Sequence, residues 1–306
     1  MKSFFDRPGL LLTLVALFWA GNFVLGRAIV GHIPPITLAC VRWTLATLIF
    51  LPFAWAHLRR DAAVIRKSGP MLLFLGITGA GSYNTLSYLG LVSTEAVNAL
   101  VLGAAGPMFI TLTAWGLFGD RIEPRQLLGL GAAFLGVLLI IAKGDLFSLA
   151  GFRFNSGDIL IIAGMITWSI YTAFLRKRPH ISWQSFNIST YAVAGAANFP
   201  LALAEQQIGP SLTINAATLA AIAYVAIFPS LLAYIFYNRG VELLGPARTG
   251  LYMFLVPVFG SLLAVLFLGE RLHLYHALGF AFIIGGVLIG SRRRTVRVAE
   301  ASSPAE

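Results

Sequence analysis

Acidic residues are scarce in this chain: 12 Asp and Glu stand against 22 Lys and Arg, and charged side chains make up 11% of 306 residues. None of the carboxylates falls in the middle of a long apolar run, since Glu95, Asp158, Glu205 and Glu270 all lie at run ends. Paired carboxylates for acid–base chemistry are therefore missing, as is the intramembrane carboxylate with which proton-coupled exporters exchange a proton for a cation. Cysteine occurs once, at Cys40 inside an apolar run, which excludes an intramolecular disulfide and leaves the redox compartment open. Nothing longer than about 15 residues lies outside the apolar runs, so an ATPase or kinase module has nowhere to fold.

What is abundant is apolar surface. Hydrophobic residues make up 58% of the chain, far beyond a soluble domain of the same charge. Composition alone makes this an all-α polytopic membrane protein, with the lipid bilayer as its main partner. Ten spans can be placed, at about 9–30, 35–57, 69–92, 94–118, 124–142, 156–175, 184–204, 214–238, 244–268 and 273–291, each near the length a helix needs to cross a bilayer. Pro34-Pro35, Pro124, Pro179 and Gly209-Pro210 mark boundaries. The N-terminus has the basic start of a secretory signal, but its run continues for a full span with no clean small-residue cleavage site, and it reads as a retained first helix.

The net charge of +10 does not point to nucleic acid, because the basic residues sit in short clusters between spans. They orient the protein. With the N-terminus inside, seventeen of the 22 Lys and Arg fall on inner segments and four on outer ones, with Arg42 within a span, which places both termini in the cytoplasm.

Those spans come in two sets. Gly90, Pro107, Gly119-Asp120-Arg121, Leu128-Gly129 and Gly136-Val137-Leu138 return 150 positions later as Gly240, Pro257, Gly269-Glu270-Arg271, Leu278-Gly279 and Gly286-Val287-Leu288. The chain therefore divides into repeats at 1–148 and 149–293 and a cytoplasmic tail at 294–306. Each repeat holds five spans, and an odd number forces the second copy into the membrane upside down. Inverted halves around a midplane site are a transporter architecture, working by alternating access.

Phe18-Trp19-Ala20-Gly21-Asn22-Phe23, Arg42-Trp43, Gly106-Pro107 and the repeated Gly-acid-Arg resemble the EamA-type drug/metabolite transporter superfamily, over residues 9–291. With its length and many aromatic residues, the chain is most similar to the bacterial YddG-type exporters. The resemblance implies efflux of aromatic amino acids and related compounds across the inner membrane. It departs from strict symmetry: Trp19 has a partner in Trp168, but Asn22 falls opposite Tyr171 and Arg42 has no basic partner in span seven.

Aromatic and amide side chains gather near midspan: Trp19 and Asn22, Tyr83, Asn84 and Tyr88, Trp168 and Tyr171, Tyr234, Tyr237 and Asn238, and Tyr252. Spacings of three or four put Trp168 with Tyr171, Tyr234 with Tyr237 and Asn84 with Tyr88 on shared faces. The expectation is a cavity lined with rings that stack on a flat or cationic substrate. The competing reading is helix packing plus interfacial anchors, to which Trp43, Trp55, Trp115 and Trp183 are assigned. Arg42, seven residues after Pro35, lies about 10 Å deep. It is expected to anchor helices or snorkel to the outer face, with a substrate carboxylate as its alternative contact.

Pro107 and Pro257 weaken spans four and nine at matching places and are the expected hinges. Glu270, His273 and His276 have a spacing that could suit a metal, but they straddle a turn, and capping or gating is the expected role; no metal and no cofactor is called for. The expected function is inner-membrane export of neutral or aromatic amino acids and related metabolites, as a facilitator without proton coupling. Efflux of aromatic cations such as viologens is the alternative, and an intramembrane enzyme is the reading from another class. A monomer suffices for the mechanism, and the oligomeric state is open.

Overall fold

The computed structural model describes residues 4–28, 33–94, 98, 102–151, 153–208, 214–269 and 271–291, with only the backbone for residues 23, 24, 26–28, 88, 91, 92 and 268. Every regular element among them is helical. Among the described residues, six helices are long and apolar enough to cross a membrane: Pro35–Lys67, Pro124–Ile141, Ser156–Lys177, Ala216–Leu244, Pro246–Phe267 and Leu274–Ser291. Pro8–Asn22 and Gly106–Phe118 are shorter apolar helices. In lipid each backbone N–H and C=O must be satisfied within its own segment, so helices are what such runs can form.

In chain order the helices are α1 (Pro8–Ala28), α2 (Pro35–Lys67), α3 (Gly69–Leu75), α4 (Ser82–Ser93), α5 (Gly106–Phe118), α6 (Pro124–Ile141), α7 (Ser156–Phe174), α8 (Trp183–Ile208), α9 (Ala216–Val225), α10 (Ala233–Leu244), α11 (Pro246–Leu251), α12 (Leu255–Leu268) and α13 (Leu274–Ser291). Their starts follow sequence signals. Pro35 and Pro124 open α2 and α6, where a missing N–H costs nothing. Asn155 caps α7 by accepting the Asp158 N–H, and Asn215 caps α9 through Thr218. Gly119 and Gly269 end α5 and α12 at φ 66° and 69°, a conformation that glycine adopts without strain.

One expected boundary moves. Span two was expected to stop at 57, but α2 runs on to Lys67. No glycine or proline follows Pro52 until Gly69, so nothing breaks the helix where it leaves the apolar layer, and Arg66 and Lys67 suit its negative end. Span four, expected from 94, is helical at residue 98, at 102–104 and, after a turn at Ala105, from Gly106 onward; residues 95–97 and 99–101 lie outside the described residues.

Two π-helical segments interrupt the bundle, Gly76–Gly81 between α3 and α4 and Ala226–Leu232 between α9 and α10. The cause of the second is legible. Pro229 has no N–H for the Val225 carbonyl, and the Ser230 hydroxyl supplies the donor instead at 2.7 Å.

The main packing pairs are α2 with α8, α4 with α7, α6 with α13, α5 with α7, and α1 with both α10 and α12. Helices α2 and α8 are antiparallel, and each end of the pair is closed by a carboxylate. Asp61 accepts the Ser182 N–H at 2.9 Å beside the start of α8, and Glu205 accepts the N–H groups of Ile36 and Thr37 at 3.0 and 2.6 Å at the start of α2. At the α6–α13 crossing, a Cβ on Gly136 would meet the Gly279 carbonyl at 2.6 Å, and one on Gly286 would meet the Gly129 carbonyl at 2.6 Å. Only glycine permits backbones that close.

Candidate substrate-binding site

The largest core cluster lies where α1, α2, α7, α8 and α10 converge, and it is built around aromatic rings. Trp168 is at its centre. Its ring centroid lies 5.5 Å from Trp19, 5.7 Å from Tyr83, 5.3 Å from Tyr171, 5.5 Å from Tyr234 and 5.0 Å from Tyr237. The structure thus brings six of the expected residues together. Tyr252 lies at their edge, in a narrow crevice shared with Trp19 and Tyr237. Asn22 and Asn84 are only half-buried, and the side chain of Tyr88 lies outside the described residues.

The amides hydrogen-bonded into the cluster are Asn238 and Asn187. Tyr171 donates to Asn238 Oδ1 at 2.7 Å, and Asn238 Nδ2 donates to Asn187 Oδ1 at 2.9 Å. Tyr191 donates to the Leu231 carbonyl at 3.0 Å, Tyr234 to the Gly79 carbonyl at 3.2 Å, and Trp19 to the Pro229 carbonyl at 3.2 Å. Both π-helical segments therefore offer carbonyls to the rings.

Three residues escaped sequence reasoning. Trp43, expected in an interfacial belt, is wholly buried, stacks on Tyr191 at 5.4 Å and meets Tyr234 edge-on at 4.8 Å. Its signal was the small-and-apolar face Ala39, Trp43, Ala46, Phe50 and Ala54, which turns toward α8 rather than lipid. Tyr191 and Asn187 are four apart in α8, the same kind of spacing as Asn84 and Tyr88. Trp55, Trp115 and Trp183 are exposed, as belt residues would be.

Arg42 does not snorkel. It is 2% exposed, because α2 is covered there by α8 and the second π-helical segment rather than by lipid. Its Nε donates to Ser230 Oγ at 2.7 Å, and its guanidinium lies 5.3 Å from the Trp43 ring. One terminal nitrogen is buried with no hydrogen-bond partner, and among the described residues no carboxylate is within ion-pair distance. A buried guanidinium in this state is costly unless an anion completes it.

The expected ring-lined cavity takes a different form. The rings fill the centre against one another, with Trp168, Tyr171, Tyr191 and Tyr237 each at most 2% exposed. A cavity of about 400 Å³ opens beside them on the face that carries the N-terminal turn, with Asn187 and Asn238 among its lining residues and Arg178, Arg239, Glu242 and Trp183 around them.

Pro107 and Pro257 occupy equivalent places. Each lies in the first turn of its helix, just after an irregularity: a turn at Ala105 before α5, and the 3-10 turn Tyr252–Phe254 before α12. Each proline carbonyl accepts the hydroxyl four residues on, Thr111 and Ser261, at 2.9 Å. At the last turn, His273 donates its N–H to His276 Nδ1 at 3.0 Å, so His276 caps α13; Glu270 lies outside the described residues.

A multi-pass helical bundle with a buried centre of rings, amides and an incompletely paired arginine defines a small-molecule transporter of the membrane. The sequence comparisons narrow the class. The model of the EamA-like transporter family matches residues 7–142 and again 155–292, and this chain belongs to that family. Its relatives include an uncharacterized transporter of Archaeoglobus fulgidus, 30% identical over 94% of this chain and 99% of the relative. A protein of Salmonella typhimurium named as a probable amino-acid metabolite efflux pump is 28% identical over 95% and 98%. A probable terminal-alkyne amino-acid exporter of Streptantibioticus cattleyicolor is 27% identical over 96% of each chain. A solved crystal structure, 21% identical, matches with a TM-score of 0.78 over 93% of this chain and 96% of the other, a likeness of fold.

Proposed function

We propose that this protein exports amino acids, aromatic and other neutral ones above all, and related metabolites across the bacterial inner membrane, in the manner of the YddG-type exporters. Two inverted five-helix halves alternate access to a central site, with both termini in the cytoplasm. The observation that carries the reading is the composition of the buried centre: Trp19, Trp43 and Tyr83 come from the first half, and Trp168, Tyr171, Tyr191, Tyr234 and Tyr237 from the second. Rocking one half against the other separates those rings and exposes their faces. An aromatic side chain then finds stacking partners, and Arg42 takes its carboxylate. The same guanidinium repels cations such as viologens.

Several features support the inverted halves. The π-helical segments start 150 residues apart, at Gly76 and Ala226, as do the left-handed glycines 119 and 269 and the proline–hydroxyl pairs. At the α6–α13 crossing, a shift of 150 forward for one glycine and 150 back for the other turns one pair into the second, Gly129 with Gly286 becoming Gly279 with Gly136. That exchange is what a two-fold axis between antiparallel helices produces. The names of the Salmonella and Streptantibioticus relatives favour amino acids and outward transport.

The test is uptake of radiolabelled phenylalanine and tryptophan into liposomes holding the purified protein. Saturable flux of either is expected, at least tenfold lower in Arg42→Gln at equal protein level. Flux of methyl viologen without amino-acid flux would replace the reading by cation efflux, and no flux of any solute would refute transport.

A further inference from the structure

We infer that the cavity of about 400 Å³ on the N-terminal face is a loading site for a zwitterionic α-amino acid, which enters by replacing the ion pairs that close it; this rests on the export reading above. The volume is of the size that holds a small ligand. Its rim carries two guanidiniums and one carboxylate. Arg178 and Arg239 both bind Glu242, at 3.2 and 3.1 Å, and Arg239 also reaches Asp6 at 2.8 Å.

Among the described residues Arg178 has only its share of Glu242, and Arg239 is divided between Glu242 and Asp6, so an incoming carboxylate can bind Arg178 and compete with Asp6 for Arg239. An entering amino acid supplies that carboxylate, in the bidentate geometry that arginine favours, while its ammonium takes Glu242. These pairs are partly exposed, with Glu242 at 43%, and such pairs are weak enough to exchange. The rings of Phe5 and Trp183, 6.1 Å apart, offer an apolar wall to the side chain. The inner end is polar and buried: Asn187 and Asn238 are 2% and 3% exposed and hydrogen-bonded to each other, and Asn238 also accepts from Tyr171.

Helix α10 carries both sites, with Glu242 and Arg239 at the cavity and Tyr234 and Tyr237 among the central rings. The Arg239–Asp6 pair ties that helix to the N-terminal turn. Substrate that takes Arg239 therefore loosens the tie that holds this face shut. Loading and opening become one event.

The test compares initial uptake of phenylalanine, phenethylamine and N-acetylphenylalanine into proteoliposomes from one preparation of each variant, so that their ratios do not depend on how much protein folded. The wild type should prefer phenylalanine to both analogues. Arg178→Gln should narrow the preference over phenethylamine, which lacks the carboxylate, about tenfold. Glu242→Gln should narrow the preference over N-acetylphenylalanine, which lacks the ammonium, by a similar factor. A wild type indifferent to the three solutes, or variants that slow all three equally, would overturn the loading site while leaving export standing. A wild type that moves none of them would refute export, and the loading site with it.

Discussion

The α6–α13 crossing offers a quantitative check on the bundle, because adjacent glycines there meet opposite surroundings. A Cβ on Gly286 would lie 2.6 Å from the Gly129 carbonyl and 2.7 Å from the Ala133 N, whereas one on Gly285 would meet nothing within 4 Å. Ordinary contact begins at 3.4 Å, so Gly286→Ala must open the crossing by about 0.8 Å, the difference between 3.4 and 2.6 Å. A gap of that size forfeits a quarter to a half of the dispersion energy along the seam, and overpacking of this kind costs about 1–3 kcal/mol. The gain in helix propensity, about 1 kcal/mol for alanine over glycine, applies to both positions and cancels between them. The two variants should therefore differ by about 1–3 kcal/mol in stability, Gly285→Ala being equal to or above the wild type. Gly136→Ala, which meets the Gly279 carbonyl at 2.6 Å, should lose as much as Gly286→Ala if a two-fold axis relates them. Equilibrium unfolding by SDS titration in mixed micelles, followed by circular dichroism, reads all three. Equal stability of the variants at 285 and 286 would refute the close crossing, and unequal losses at 136 and 286 would refute its symmetry.

Three further outcomes follow from the same geometry. Pro257→Ala restores an N–H in the first turn of α12 after the 3-10 turn, and should lower the transport rate several-fold with little change in abundance; unchanged transport would remove the proline from the hinge. The Arg176 guanidinium, bonded to the Asp120 carboxylate at 2.7 Å, holds that carboxyl below its ordinary range. With the folded pKa depressed, this contribution is present above the ordinary aspartate value near 4 and is lost as pH falls through the folded one, so Asp120→Asn should flatten the acid limb of a melting-temperature profile. With no carboxylate at midspan to carry a proton, adding substrate to proteoliposomes under an imposed pH gradient should leave the internal pH unchanged, and an alkaline shift would establish coupling.

Much of the fold was legible. Helix starts at Pro35, Pro124 and Asn155 follow from cap and proline chemistry, which is local. The extension of α2 was missed because hydropathy marks where the membrane ends, and a helix continues until a breaker stops it. The ring set was half legible: Trp168 with Tyr171 and Tyr234 with Tyr237 declared themselves by spacing, while Trp43 and Tyr191 did not. In lipid a tryptophan on a bundle-facing surface and one at an interface have similar flanks, and only the neighbour decides between them. Arg42 illustrates the same limit, since its depth could be counted from Pro35 but its cover by Ser230 could not.

The sequence by itself determined the medium, the helices, the 150-residue recurrence and the scarcity of charge at midspan, because hydropathy, caps and repeats are properties of contiguous residues. Tertiary structure alone decided that the rings pack on one another, that Arg42 is enclosed by protein, that Arg178, Arg239 and Glu242 meet around one cavity, and that Asp6 pairs with Arg239 there. Those partners lie up to 233 positions apart in the chain, Asp6 from Arg239. No local pattern encodes a contact that exists only once the helices have been packed together.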